Sequence, residues 1–319
     1  MNTFNHIIGQ PQAMELLTGA IAQNRIAPAY LFMGTSGIGK SLTAKAFIQL
    51  LFTHHLSDPD QIKNTEKTFL NNNHPDLLWI EPTYLHQGKL LSSKEAAESG
   101  VKRKSPPQIR LEQIREISQF LSKPPLKSPR SVVVLEQAET MAEGAANGLL
   151  KTLEEPGKAT LILLAPSPES LLPTLVSRCQ RIPFYRLQDE DIIKILKNTE
   201  FDHILNDKLI LQIAQGSPGE AINIFQQLQK IPPELLENLK NRPKNTQSAL
   251  ELAKQIDKKL DTELQIWLVD YLQHWYWKNE QKLQVIKNLE KAKQCLLSYV
   301  QPRLVWEVTL LQLSVISNQ

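Results

Sequence analysis

Cysteine is nearly absent from this 319-residue chain: only Cys179 and Cys295 occur, far apart and in no paired spacing. Neither a disulfide framework nor a cysteine zinc site can be assembled from them, and a reducing, cytoplasmic setting is the expectation. Glycine is also sparse, at 12 residues, and no compositional bias of a fibrous or disordered protein is present. No apolar run approaches the roughly 20 residues needed to span a bilayer. The start of the chain, Met1 to His6, lacks a basic segment followed by an apolar one, so the reading is neither secreted nor embedded. A net charge of +3 permits contact with nucleic acid without arguing for it.

Against this background one cluster of glycines stands out. Gly34-Thr35-Ser36-Gly37-Ile38-Gly39-Lys40-Ser41 fits the phosphate-binding pattern G-x-x-x-x-G-K-[ST] at every required position. Upstream, Ala29 to Met33 reads as a short buried strand. Downstream, Leu42, Ala46, Phe47, Leu50 and Leu51 recur at helical spacing. A strand feeding a glycine turn that opens a helix presents bare backbone N–H groups to a phosphate at the positive end of the helix dipole. Lys40 is then expected to reach the terminal phosphates of ATP, and the Ser41 hydroxyl to ligand Mg²⁺. The competing reading is a glycine turn of structural use only.

The first 185 or so residues alternate strand-like runs with helical patterns, which predicts an α/β layer structure with a parallel sheet. Strand candidates are Tyr30–Met33, Leu77–Ile80, Val132–Leu135, Leu161–Ala165 and Gln180–Phe184; helices are expected over Gln113–Leu121 and Ala145–Leu153. Residues 54–73 and 86–108, the latter with the run Lys102-Arg103-Lys104, read as polar surface insertions. From about 187 the pattern is all helical. Gly216-Ser217-Pro218-Gly219 separates two helices, and a linker from Asn238 to Gln247 precedes a final segment holding Trp267, Trp275, Trp277 and Trp306. Leu264, Leu268, Tyr271 and Trp275 share one stripe there, either the core of a helix bundle or an oligomer interface.

Several elements resemble the bacterial DNA polymerase III clamp loader family, and within it the delta-prime branch: Phe4 to Gln10, the loop at 34–41, His74-Pro75-Asp76, Ala146 to Pro156 with its Leu-Leu-Lys-Thr-Leu-Glu-Glu-Pro, and Ser177-Arg178-Cys179. The resemblance implies an AAA+ P-loop nucleotide-binding domain over 1–186, a small helical lid over 187–240 and an all-α collar over 241–319. It also implies a role in DNA replication within a pentameric ring whose other members are gamma or tau and delta, opening a sliding clamp and placing it on primer-template DNA. Many relatives carry four cysteines for zinc before His-Pro-Asp; residues 51–73 offer only His54 and His55, so no zinc is expected.

The chemistry of hydrolysis can be read beside that resemblance. ATP turnover needs a carboxylate at a strand end to hold Mg²⁺, followed by a base that activates water. In Val132-Val133-Val134-Leu135-Glu136-Gln137 those places hold Glu136, which can ligand the metal, and Gln137, whose amide cannot take a proton. Glu139 is a substitute base only if it reaches the water. The lid arginine of motor subunits is missing from Gly216 to Glu220, and Ser167 is a loose candidate for sensing the terminal phosphate. Arg178 is the expected catalytic residue, acting in trans on a neighbour's ATP; the bland alternative is a surface or capping arginine. Cys179 reads as a small core residue. The main expectation is thus a subunit that binds ATP and hydrolyses it weakly or not at all. The alternatives are a gamma/tau-type motor ATPase of the same ring and an unrelated P-loop kinase or helicase.

Overall fold

A computed structural model describes residues 4, 7–71, 73–98 and 106–316. Asn5 and His6 of the N-terminal motif, and Lys102 to Ser105 of the basic run, lie outside the described residues. Two compact units are formed, one from residues up to 95, 107–206 and 214–220, the other mainly from 207–213 and from 221 onward.

The first unit is organised by a five-stranded sheet. Its strands are β1 (Ala29–Met33), β2 (Leu77–Ile80), β5 (Ser131–Leu135), β6 (Ala159–Ala165) and β7 (Gln180–Pro183), in the order β2-β5-β6-β1-β7, and every neighbouring pair runs parallel. All five expected strands form, with ends shifted by at most two residues. Parallel sheets are covered on both faces, which is why β5 and β6 read as unbroken apolar runs rather than as alternations. Val132, Val133, Val134 and Leu135 are all fully buried, each contributing about 1.5–3 kcal/mol over an exposed side chain. The helices Leu111–Leu121 and Glu143–Glu154 lay Ile114, Ile117, Ala145 and Leu149 against this core.

Because the strands are parallel, their C-terminal ends share one edge, where ligands of such sheets bind. Met33, Leu135 and Ala165 end three adjacent strands there.

The stretches expected as plain surface insertions have more order than their polarity suggested. Residues 54–73 contain a helix, Pro59–Leu70, started by Asp58, whose carboxylate accepts from the N–H of Asp60, and anchored by buried Phe69. Residues 84–91 form a hairpin of β3 (Tyr84–His86) and β4 (Lys89–Leu91). Gln87 and Gly88 make its two-residue turn, both at positive φ, 49° and 79°, the twist that suits a tight hairpin.

At the other edge of the sheet Asp76 organises a loop. Its carboxylate accepts the backbone N–H groups of Leu126, Lys127 and Ser128 at 2.6, 2.7 and 2.7 Å. His74, stacked on Phe52 with centroids 4.2 Å apart, accepts from the N–H of Asp76 through Nδ1. Burial pushes its imidazole below the ordinary pKa, so the ring favours the neutral form this acceptor role needs.

The second unit is helical, including Pro233–Lys240, Thr246–Lys259, Thr262–Asn279, Leu283–Leu297 and Pro302–Ile316. The expected linker is short, since only residues 241–245 lie between helices. Leu264, Leu268 and Tyr271 are buried in the bundle, Trp275 packs against it, and Trp306 is fully buried with Nε1 donating to Gln265 Oε1 at 2.9 Å. The stripe therefore serves the core of this unit, and of the four tryptophans Trp277 is largely exposed.

Candidate functional site

The loop after β1 is shaped by positive φ at Gly34 (154°), Gly37 (74°) and Gly39 (99°), and Gly39 caps the helix Lys40–Thr53. Two of these glycines are also required sterically. A Cβ at Gly34 would lie 2.6 Å from the Phe184 carbonyl oxygen, and one at Gly37 would lie 2.5 Å from Ser217 Oγ and from the Glu220 nitrogen. Ile38 is buried and anchors the loop in the core. Its carbonyl accepts from Gln10 Nε2 at 3.2 Å, and the same buried amide pairs with both backbone groups of Tyr185. Gln10 thus ties the N-terminal segment, the loop and the exit of β7 together.

Lys40 folds over the loop, its ammonium donating to the carbonyls of Gly34 and Thr35. Burial lowers its pKa to about 8, an effect opposed by the carboxylates of Glu139 and Glu136. The Thr35 hydroxyl is buried without a hydrogen-bond partner among the described residues. A cavity of about 360 Å³ opens over the loop, lined by Ser36, Gly37, Gly39, Lys40, Ser41, Glu136, Gln137 and Glu139 among others.

Glu136 follows β5, where its N–H donates to Ile80, and faces the loop. Ser41 Oγ donates to Glu136 Oε1 at 2.7 Å, and Trp79 Nε1 donates to Oε2 at 2.9 Å. Trp79, one strand over on β2 and beneath the Lys45 ammonium at 5.4 Å from its ring, was not singled out in the sequence. Gln137 adopts a left-handed backbone, φ 50°, and lies at the rim of the cavity. Glu139 borders the same cavity, with burial raising its pKa. Pro166 lines the cavity whereas Ser167 does not.

The turn at 216–219 is joined to the phosphate loop. Ser217 Oγ donates to the carbonyl of Ser36 at 2.7 Å and the Gly219 N–H to that of Gly37 at 3.0 Å. Both bonds engage loop carbonyls and leave the loop N–H groups out of them.

Arg178 stands apart from this cavity, between the short helix Pro173–Val176 and β7. Its guanidinium donates from Nη2 to Glu154 Oε1 at 2.8 Å and from Nη1 to the Thr174 carbonyl at 2.9 Å. The neighbouring Cys179 thiol is pushed up to about 11 by burial. No group of three or more His, Cys, Asp or Glu able to hold a metal ion occurs among the described residues, and no helix among them is long and apolar enough to cross a membrane.

The glycine cradle, the lysine and the serine-to-carboxylate pair at the ends of parallel strands are the parts of a P-loop nucleotide-binding module. The sequence profile described as DNA polymerase III, delta subunit, matches residues 9–188, and that of the cyanobacterial DNA polymerase III delta prime C-terminal domain matches residues 190–313. The chain belongs to this DNA polymerase III clamp-loader subunit family. It is 35% identical over 188 residues to DNA polymerase III subunit delta' of Bacillus subtilis, covering 57% of this chain and 50% of that protein. It is 26% identical over 232 residues to subunit tau of the same organism, covering 70% of this chain and 37% of that one. The chain thus spans half or less of the length of these relatives. In fold it is similar to a DNA polymerase III gamma subunit-related protein of Thermotoga maritima, with a TM-score of 0.52 and 17% identity over 94% of this chain and 97% of that one.

Proposed function

We propose that this chain acts as the delta-prime subunit of a DNA polymerase III clamp loader, a cytoplasmic AAA+ protein that binds ATP, turns it over weakly or not at all, and supplies Arg178 to the ATP held by an adjoining motor subunit. The observation that carries this reading is the pairing of an intact phosphate cradle with Gln137 where a water-activating base belongs. The residues fit a nucleoside triphosphate with Mg²⁺: Gly34 and Gly37 clear the approach, Lys40 brings a cation, and Thr35 offers a buried hydroxyl with no partner among the described residues. Gly34 to Ser41 would hold the phosphates, with Ser41 and Glu136 as the protein ligands of the cation.

Bound Mg²⁺ would neutralise charge on the phosphates. The rest follows from this chain's own groups. Ser41 and Trp79 orient the Glu136 carboxylate, Lys40 attracts the polyphosphate, and the Gln137 amide has no lone pair basic enough to take a proton from water. Arg178, outside the lining of this cavity and with its side chain 37% exposed, suits a charge offered outward. In this reading residues 1–186 form the nucleotide-binding domain, 187–240 the lid and 241–319 the collar, with gamma or tau and delta as ring partners and a sliding clamp and primed DNA as the objects of the work.

A gamma/tau-type motor is the second reading, favoured by the complete P-loop and the 70% of the chain matched by subunit tau. Steady-state ATPase of the purified chain with Mg²⁺ separates the two. Little or no turnover alongside measurable ATP binding supports the first, whereas robust turnover abolished by Lys40→Ala supports the second.

A further inference from the structure

The Arg178 guanidinium is held at two corners in the chain itself. Of its five N–H donors, one goes to Glu154 and one to the Thr174 carbonyl, and the others have no partner among the described residues and can meet an incoming phosphate. Both supports lie on helices anchored in the core. Glu154 is the last residue of the helix Glu143–Glu154, which is nailed to the core by Leu149 and Leu153 and stopped by Pro156 and Gly157, the latter at φ 58°. Thr174 lies in the helix Pro173–Val176, anchored by buried Leu175 and Val176.

Stability does not account for this pair. The two side chains are 37% and 55% exposed, and exposed ion pairs contribute under about 1 kcal/mol. Glu154 is also placed against its local field: a carboxylate in the last helical turn meets the negative end of the helix dipole, with Glu155 beside it.

We propose that Glu154 is a positioning residue that pre-orients the Arg178 guanidinium toward the neighbouring subunit's nucleotide. The proposal rests on the reading of Arg178 as a group acting in trans. A free arginine samples many rotamers, and the loss of that freedom on docking opposes its action; here much of it is lost before a neighbour arrives. The role requires an acceptor oxygen at this place rather than a charge.

The test is the steady-state ATPase of the complex reconstituted with motor subunits, comparing wild type, Arg178→Ala, Glu154→Ala, Glu154→Gln and the double alanine variant. Glu154→Ala is expected to lower kcat about tenfold with KM and assembly unchanged. Glu154→Gln, which keeps the acceptor oxygen, should restore kcat to within about twofold, and Glu154→Ala should have no further effect once Arg178 is alanine. An unchanged or raised kcat in Glu154→Ala, failure of Glu154→Gln to rescue, or equal losses with and without Arg178 overturns the proposal. If Arg178→Ala itself leaves the rate intact, the functional reading of Arg178 is what falls.

Discussion

Ser217 Oγ donates a 2.7 Å hydrogen bond to the carbonyl oxygen of Ser36, fastening the turn at 216–219 to the phosphate loop. The two backbones meet at glycines: a Cβ on Gly219 would lie 2.6 Å from the Gly37 Cα, and backbone cannot give way as a flexible side chain can. Gly219→Ala should therefore destabilise the first unit by about 1–3 kcal/mol. Thermal unfolding and ATP titration check this; an unchanged Tm with unchanged affinity would show that the contact carries no weight.

Lys40 sets a pH dependence. Burial favours its neutral form and brings the pKa from 10.5 to about 8. The ammonium that attracts polyphosphate is present below that value and lost above it, so ATP affinity should decline as pH rises through 8 to 10. The same depression makes Lys40 costly to folding at low pH, and that cost is relieved between about 8 and 10.5. Equilibrium binding across this range should show the decline in wild type and a flat, weaker response in Lys40→Ala, lower by about tenfold or more at pH 7.

Gln137→Glu places a carboxylate at the rim of the cavity that Glu136 and Lys40 line. If the missing base is what limits turnover, single-turnover hydrolysis should rise by about a hundredfold. A variant that binds ATP and remains inert would move the cause elsewhere, to the lid turn that lacks an arginine.

Asp76 satisfies three backbone N–H groups at once. Asp76→Ala would leave them without their acceptor in a half-buried loop, at a cost of about 3 kcal/mol, and Asp76→Asn, with one acceptor oxygen, should lose less. Urea unfolding monitored by circular dichroism gives both values, and equal stabilities of the two variants would contradict this account of the loop.

How much of this was legible in the sequence differs by element, for physical reasons. The strands were visible because a sheet covered on both faces demands unbroken apolar runs such as Val132 to Leu135, and the loop was visible because glycines that must adopt positive φ recur at fixed spacing. The helix Pro59–Leu70 was hidden by its few apolar residues, although Asp58 followed by Pro59 is a helix-start signal that could have revealed it. Gln87-Gly88 likewise marked the hairpin. No local pattern could have paired Trp79 with Glu136, 57 residues away, or Arg178 with Glu154, 24 residues away. Such pairs are set by which strands and helices become neighbours. The aromatic stripe from Leu264 to Trp275 was ambiguous because a bundle core and an interface ask for the same residues, and burial within the second unit decides it.

We propose that the chemistry served by this chain happens on a neighbour, through Arg178, and not in its own pocket. The direct measurement is the ATPase rate of the assembled clamp loader carrying either Lys40→Ala or Arg178→Ala in this subunit alone. Lys40→Ala is expected to leave the rate near wild type, while Arg178→Ala should depress it by about a thousandfold at the adjoining site. Loss with Lys40→Ala and indifference to Arg178→Ala would place the chemistry in this chain's own pocket instead.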